Sequence, residues 1–596
     1  MLLDSTLKEM LMRLWGYCPK HRHIQFYLIL VLMLIASLAE VVSIGLVIPF
    51  LGILTAPEKF LHHPTVQSIF DVFGMVYTQA DQLLLPITMI FIIGIIVAGI
   101  IRIALLYFMT KLSFATGADL SIDIYKRTLY QEYLTHISRN SSEVINGIIG
   151  KTGTVIGGVL IPLLTLVSSF IILIGVLTVL ILIDPYIAFS AFLSFGFVYF
   201  VIIKITRLKI KKNSEIIATR STLMIKSLQE GLGGMRDVLI DGSQKFYCDM
   251  YRNSDLLLRR ATGENIFISM APRFLMETIG MVLIILFAYY MTQSQNGVSD
   301  AIPVLGALAL GAQKLLPILQ QAYGSYTQIN GSKSSLKDVL DLLSQKIPTI
   351  SNQDKKIRVD FKNKIQINNL SFKYPESNKW ILKNINLSFS KGMRVGFVGE
   401  TGCGKTTLVD IIMGLLSPTN GEVLIDNCTI NNKNKSAWQA HIAHVPQNIY
   451  LSDSSIEENI AFAVSKDKIN TNTVREVAKC SEISDVIEDL DLGYQTIIGE
   501  RGVRLSGGQK QRIGIARALY KKASVLFFDE ATSALDNKTE GAIMKSIESM
   551  DKELTIFMIA HRLGTLKKCD IIVKFSLNGD VQTGSYQQLI EENERY

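Results

Sequence analysis

Six runs of apolar residues, each long enough to cross a bilayer as a helix, constrain this chain more than any other feature. A hydrocarbon core of about 30 Å needs about 20 predominantly apolar residues per helix. Such segments fall at 26–53, 83–110, 156–183, 185–206, 268–292 and 301–320. The average of 49% hydrophobic and 19% charged residues over 596 positions therefore mixes a very apolar first half with a second half of ordinary soluble character. Disorder, collagen-like repeats and a disulfide scaffold are excluded by the low charge fraction, the aperiodic glycines and a cysteine content of only six. The pattern predicts a membrane domain at 1–330, a linker at 331–364 and a soluble domain at 365–596.

An even number of spans puts both termini on one side. Asp184-Pro185 reads as a tight turn between the third and fourth spans, while the second and fourth are followed by long polar helical stretches. Twelve Lys and Arg lie between Lys204 and Arg260, and Lys8, Arg13, Lys20 and Arg22 precede the first span. The 54–82 loop has Lys59 alone and the 293–300 loop has none. Basic loops stay in the cytoplasm, which places the termini and long loops there. The same loops account for the net charge of +8. No basic stripe with interleaved aromatics accompanies it, so membrane lipids and not nucleic acid are the expected surroundings.

Residues 4–17 lack the make-up of a cleavable signal and put Leu7, Leu11 and Leu14 on one helical face, predicting a helix lying in the membrane interface. After Pro64, residues Val66, Ile69, Phe70, Phe73 and Met75 to Tyr77 form one apolar side of a second, external short helix. By this topology Cys18, Cys248, Cys403, Cys428, Cys480 and Cys569 are all cytosolic, and no structural disulfide is expected.

From Ile365 the pattern changes to short β-rich runs. Val395-Gly-Phe-Val398 leads into Gly399-Glu-Thr-Gly-Cys-Gly-Lys-Thr406, a Walker A sequence followed by an apolar helical run from Leu408 to Leu415. Its glycines let backbone N–H groups turn onto phosphate oxygens, Lys405 reaches the terminal phosphates, and Thr406 offers a hydroxyl to Mg²⁺. A second strand, Ser524-Val-Leu-Phe-Phe528, ends in Asp529-Glu530, a Walker B pair with one carboxylate for the Mg²⁺ shell and one beside an attacking water.

Leu505-Ser-Gly-Gly-Gln509, followed by Arg512 and Arg517, resembles the signature motif of ABC ATPases, a likeness that covers the whole soluble half. It implies ATP and Mg²⁺ as cofactors, with phosphates held by Gly399, Glu400, Thr401, Gly402, Cys403, Gly404, Lys405, Thr406 and Thr407. It further implies that Tyr374 stacks on adenine, that Gln447 senses Mg²⁺ beside Thr406 and Asp529, that Ser533-Ala-Leu-Asp536 is the D-loop, and that Glu530 and His561 are catalytic. In this family Ser506, Gly507, Gly508 and Gln509 bind the γ-phosphate held by another subunit's Walker A. A complete site then needs two chains, and the intact motif set points to a homodimer.

Six spans ahead of one such domain resemble the ABC exporter half-transporter. The implied fold is a polytopic α-helical membrane domain of six transmembrane helices followed by an α/β P-loop ATPase domain. Thr496-Ile-Ile-Gly-Glu-Arg-Gly502 matches an exporter-associated segment, with Glu500 as its contact, and 134–148 and 231–246 would be the coupling helices.

The substrate must be read from charges inside the spans: Glu40, Arg102, Arg273, Glu277 and Lys314. Each basic residue at mid-bilayer costs roughly 2.5–3.5 kcal/mol on the insertion scale, so these groups face water or pair internally. Met270 to Glu277, with Arg102 and Lys314, resemble the bacterial lipid-linked oligosaccharide flippases of protein N-glycosylation. That resemblance implies a bacterial inner-membrane protein in which Arg102, Arg273 and Lys314 engage a polyprenyl pyrophosphate carrying a glycan, although lysine at 314 departs from the arginine usual there. Lipid A or multidrug export is the alternative. An ATP-gated channel or regulator is disfavoured by intact Glu530 and His561.

Overall fold

The computed structural model describes residues 5–45, 50, 84–183, 185–292, 298–347, 358–375, 377–530, 536–550, 553–559, 566–576 and 579–591. It divides into one unit of residues 1–131 and 137–347 and a second of residues 132–136 and 348–596.

The first unit is helical. Ser5–Tyr17 precedes Lys20–Gly45 and Leu84–Leu129. A continuous run then starts at Ser141, passes through π-helical segments at Asn146–Lys151 and Ile156–Leu160, and continues as Ile161–Ile183. Pro185–Gly233, Gln244–Thr292, Val298–Gly331 and Lys333–Leu343 follow. Among the described residues, Lys20–Ser43, Thr88–Leu129 and Ser141–Val179 are long and apolar enough to cross a membrane. Leu84–Leu129 has 46 residues, about 69 Å at 1.5 Å per residue, so it outruns the hydrocarbon core about twofold. Leu182 is 82% exposed and Ile205 73% exposed, outward-facing apolar surface of the kind a lipid solvent covers.

Two expectations change here. The Ser5–Tyr17 helix buries Leu7 and Leu14 against Leu120, Ile124, Val155 and Leu340, so its apolar stripe serves protein packing. Met12 and Trp15 are the apolar groups it leaves outward. The segment predicted to link the domains begins as a packed helix: Leu336, Val339, Leu340 and Leu343 of Lys333–Leu343 are buried, and Lys151 Nζ pairs with Asp338 at 2.6 Å. All six cysteines are free. The external 64–77 segment lies outside the described residues.

The second unit holds two sheets. The antiparallel one has the order β2 (Leu382–Ser390), β1 (Lys364–Phe372), β4 (Asn420–Ile425), β5 (Cys428–Thr429). The other runs β10 (Val581–Gly584), β9 (Ile571–Phe575), β3 (Arg394–Gly399), β8 (Thr555–Ile559), β7 (Val525–Asp529), β6 (Ile442–Val445). In it β9, β3, β8, β7 and β6 are parallel. Their near-continuous Val, Ile and Phe content is what a parallel sheet buried on both faces requires. Residues 132–136 cluster with this unit: Leu134 packs on the core around Leu408 and Phe397, and Asn432 Nδ2 donates to Glu132 Oε1 at 3.3 Å.

Candidate nucleotide site and membrane cations

Parallel pairing brings the carboxyl ends of β3, β8, β7 and β6 to one sheet edge, where ligands of open α/β sheets bind. Beneath that edge Phe527 and Phe397 stack on opposite sides of Phe557, with centroids at 4.8 Å and 5.9 Å and rings within 11° and 7° of parallel. Such pairs contribute about 0.5–1.5 kcal/mol each beyond area burial. Here they fix β3 relative to β7, and so the glycine loop relative to Asp529.

The loop after β3 needs its glycines. Gly399 has φ +150° and a Cβ there would sit 2.7 Å from the Phe575 carbonyl oxygen; Gly404 has φ +101° and would meet Leu382 Cδ2 at 2.9 Å. Gly404 caps the helix Lys405–Ile412, whose first-turn amides face the loop. Lys405 is 7% exposed, and its ammonium donates to the carbonyls of Gly399 at 2.7 Å and Glu400 at 2.9 Å. That cation is held across the loop by the backbone itself. Glu400, Thr401, Gly402 and Thr406 are outward, while Thr407 and Cys403 are buried. Cys403 belongs to the apolar core and acts as a small loop residue, with its sulfur 3.9 Å from Lys405 Nζ.

At the end of β7, burial and then the neighbouring Glu530 push the Asp529 carboxyl above its ordinary range, against the pull of Lys405. Glu530 takes φ +50°, a left-handed conformation that costs a non-glycine residue of order 1–3 kcal/mol and marks functional sites. Its N–H donates to the Ile559 carbonyl at 3.0 Å, and its Oε2 accepts from Gln447 Nε2 at 2.6 Å. The predicted Glu530 and Gln447 therefore touch. Among the described residues no group of three or more His, Cys, Asp and Glu could hold a metal ion. Mg²⁺ usually takes one or two protein carboxylates plus substrate phosphates. Asp529, the Thr406 hydroxyl and the Gln447 amide fit that requirement.

Tyr374 is partly buried, with its ring 5.1 Å from Phe372 in an edge-on arrangement. Two neighbours escaped the sequence reading. Asp410, a lone acid inside the apolar run after Walker A, is pushed up to about 6 by burial and then by Asp529. Tyr133 of the 132–136 segment is raised by burial and then by Asp410 and Tyr374. The signal for Asp410 was its charge in an otherwise apolar helix; for Tyr133 there was none.

Ser506 is the N-cap of the helix Gly507–Tyr520: its hydroxyl accepts from Gln509 N–H at 3.3 Å and its N–H donates to Gln509 Oε1 at 2.8 Å. This reciprocal box occupies the Gln509 side chain, leaving outward Ser506 and Gly507, with the Gly508 amide, at the positive helix end. Glu500 opens a short 3₁₀ turn to Gly502, braced by Lys510 Nζ donating to the Arg501 carbonyl at 2.9 Å. Asp536 caps the next helix by accepting from Thr539 N–H at 3.1 Å. His561 and Ser533 to Leu535 lie outside the described residues.

In the helical unit, Arg273 Nε donates to Glu277 Oε1 at 2.7 Å, one turn along the same helix, with both side chains about half exposed. Pro272 beside it leaves the Ile268 carbonyl without its usual helical donor. Arg102 is exposed on Leu84–Leu129, and Glu40 is 9% exposed. Lys314 lies on Val298–Gly331, its side chain outside the described residues.

Comparison with known proteins agrees with this geometry. Residues 382–533 match the family model described as ABC transporter. The chain resembles the ATP-dependent lipid A-core flippase of Alkalilimnicola ehrlichii, 30% identical over 370 residues, covering 62% of each. It is 37% identical over 286 residues to a leukotoxin translocation ATP-binding protein of a Pasteurella haemolytica-like species, covering 48% of this chain and 39% of the relative. It is 33% identical over 327 residues to the β-(1→2)glucan export ATP-binding/permease protein of Rhizobium meliloti, covering 54% of each. The chain thus spans between 39% and 62% of these curated relatives' lengths. Among solved structures it superposes on a bacterial Atm1-family ABC exporter with ATP bound, with a TM-score of 0.77 and 20% identity, covering 96% of both chains. The fold is that of an ABC exporter, an N-terminal helical domain followed by an ABC ATPase domain whose cofactors are ATP and Mg²⁺.

Proposed function

We propose that two copies of this chain form an ATP-driven flippase that moves a polyprenyl-pyrophosphate-linked oligosaccharide from the cytoplasmic to the outer leaflet of a bacterial inner membrane. The observation carrying the ATPase part is the convergence of Lys405, Asp529, Glu530 and Gln447 at one sheet edge, with Glu530 and Gln447 in direct contact. Lys405 and the loop amides would hold the phosphates. Thr406, Asp529 and Gln447 would hold Mg²⁺, which neutralises charge as phosphate is transferred. Glu530 would orient the attacking water, and His561 is assigned by its sequence position alone. Ser506 and Gly507 face outward, so a second copy is the natural recipient of that helix end and would complete each site.

Arg102 supports the substrate part. It stands exposed on a helix apolar enough to span a membrane, where a guanidinium is tolerated beside water or a phosphate. Arg273 adds a cation tempered by Glu277, and Lys314 is assigned by sequence position. A lipid A-type substrate is a second reading, favoured by the 30% identity to a lipid A-core flippase over a stretch longer than the ATPase domain. Both substrates present phosphate and sugar on a lipid anchor. Reconstituted proteoliposomes discriminate them. The first reading expects a polyprenyl-pyrophosphate glycan to stimulate ATP hydrolysis and to be flipped, with lipid A inert; the reverse pattern replaces it.

A further inference from the structure

Gln447 and Ser506 lie on different segments, yet two independent contacts tie those segments together. After Gln447 the chain folds into a compact knot centred on Asn459, which is fully buried. Its amide donates to the Ser452 carbonyl at 3.0 Å and the Ser455 carbonyl at 3.1 Å, and its Oδ1 accepts from Ser452 N–H at 3.0 Å. A capping box of Ser455 and Glu458 starts the short helix Ile456–Ile460 that carries it.

Arg517 reaches this knot from the signature helix, eleven residues beyond Ser506, about three helical turns. Its Nε donates to the Asn459 carbonyl at 2.9 Å, Nη1 to the Tyr450 carbonyl at 2.8 Å and Nη2 to Asn459 Oδ1 at 3.2 Å. Its guanidinium also covers the Phe462 ring at 4.5 Å. The planar fork is used on both edges, which a lysine cannot reproduce. The second contact is steric. Gly514, one turn earlier, has no side chain, and a Cβ there would run into Ile449, whose Cγ1 lies 3.1 Å from it. Ile449 is two residues after Gln447.

We propose that Arg517 is a positioning residue that makes the signature helix and the Gln447 segment one body. The helix end that receives a γ-phosphate and the amide that contacts Glu530 then move together. Engagement of Ser506 would set the Gln447–Glu530 contact, so ATP bound across two chains would reach the water-orienting carboxylate in register. The inference rests on the ATPase reading of the site and not on the substrate.

Arg517→Met keeps the apolar stem and removes every donor. Steady-state hydrolysis by the full chain in proteoliposomes should show kcat reduced about tenfold or more with KM for ATP within about twofold of wild type, because Walker A is untouched. Arg517→Lys should recover part of kcat, because its single ammonium can still reach one of these acceptors. Gly514→Ala, which pushes on Ile449 from the other contact, should give the same split and serves if Arg517→Met does not fold. Wild-type kcat in either Arg517→Met or Gly514→Ala overturns the proposal. So does a loss of kcat matched by a rise in KM and a fall in melting temperature, which is the signature of a merely structural residue. Glu530→Gln separates the two levels: hydrolysis insensitive to it would sink the assignment of the site, whereas sensitivity to it with normal Arg517→Met turnover sinks the positioning role alone.

Discussion

The two sets of basic side chains in this protein are held by different means. Lys405 is almost fully buried, yet two backbone carbonyls of its own loop hold its ammonium. Arg102 and Arg273 stand on long helices, exposed or half exposed, and the partner of Arg273 is a carboxylate one turn away. A cation held by backbone carbonyls is fixed by the loop's own fold, so the first site has its geometry built in. A side-chain cation on a helix is adjustable, and its setting depends on the groups beside it, as Glu277 is beside Arg273. Under the proposed function, the first would be the fixed part of an ATPase site and the second an adjustable substrate contact, each perturbable without the other.

The largest effect is expected at the motor. Glu530→Gln should lower hydrolysis by about a hundredfold or more while nucleotide binding stays near wild type, since the change removes a carboxylate and spares the loop. Equilibrium binding of a fluorescent ATP analogue beside a phosphate-release assay checks both halves. Near wild-type turnover would mean that Glu530 does not act on water. Lys405→Ala should weaken ATP binding by about tenfold or more, the size of a lost charge-assisted hydrogen bond. Unchanged affinity in the same binding assay would break the cradle side of the comparison.

The smallest effect is one of stability. Burial lifts Asp410 to about 6, above its ordinary range, so the folded chain carries a destabilisation from the ionised carboxylate. It is fully present above pH 6 and fades as pH falls toward the ordinary carboxylate value. In the absence of nucleotide and with a chelator present, Asp410→Asn should raise the melting temperature by about 2–4 °C at pH 7.5, and by less at pH 5. An increment that does not change with pH would show that the Asp410 carboxyl is not lifted above its ordinary range.

Much of the candidate nucleotide site was legible because its motifs are local. The Walker A, Walker B and signature runs each occupy a few consecutive residues, and positive φ at Gly399 and Gly404 follows from their place in the loop. Contacts between distant segments were not legible. The Gln447–Glu530 hydrogen bond depends on β6 pairing with β7, and the Arg517 fork depends on a helix packing over a knot 58 residues away. Ser5–Tyr17 shows the same limit. Its apolar stripe fixed an amphipathic helix, but periodicity alone does not say whether lipid or Leu120 and Leu340 will cover that face. For Arg273, spacing to Glu277 already offered the pair that the structure forms.

The separation of motor from recognition is tested most directly by neutralising Arg102, Arg273 and Lys314 together to alanine and measuring two rates on the same vesicles. These are ATP hydrolysis and flipping of a polyprenyl-pyrophosphate-linked glycan. The account predicts that flipping is abolished while substantial basal hydrolysis persists, because no residue of the nucleotide site is changed. Flipping that survives the triple substitution would contradict it, and would leave Arg102, Arg273 and Lys314 as internally paired or solvating groups with no part in holding the substrate's phosphates.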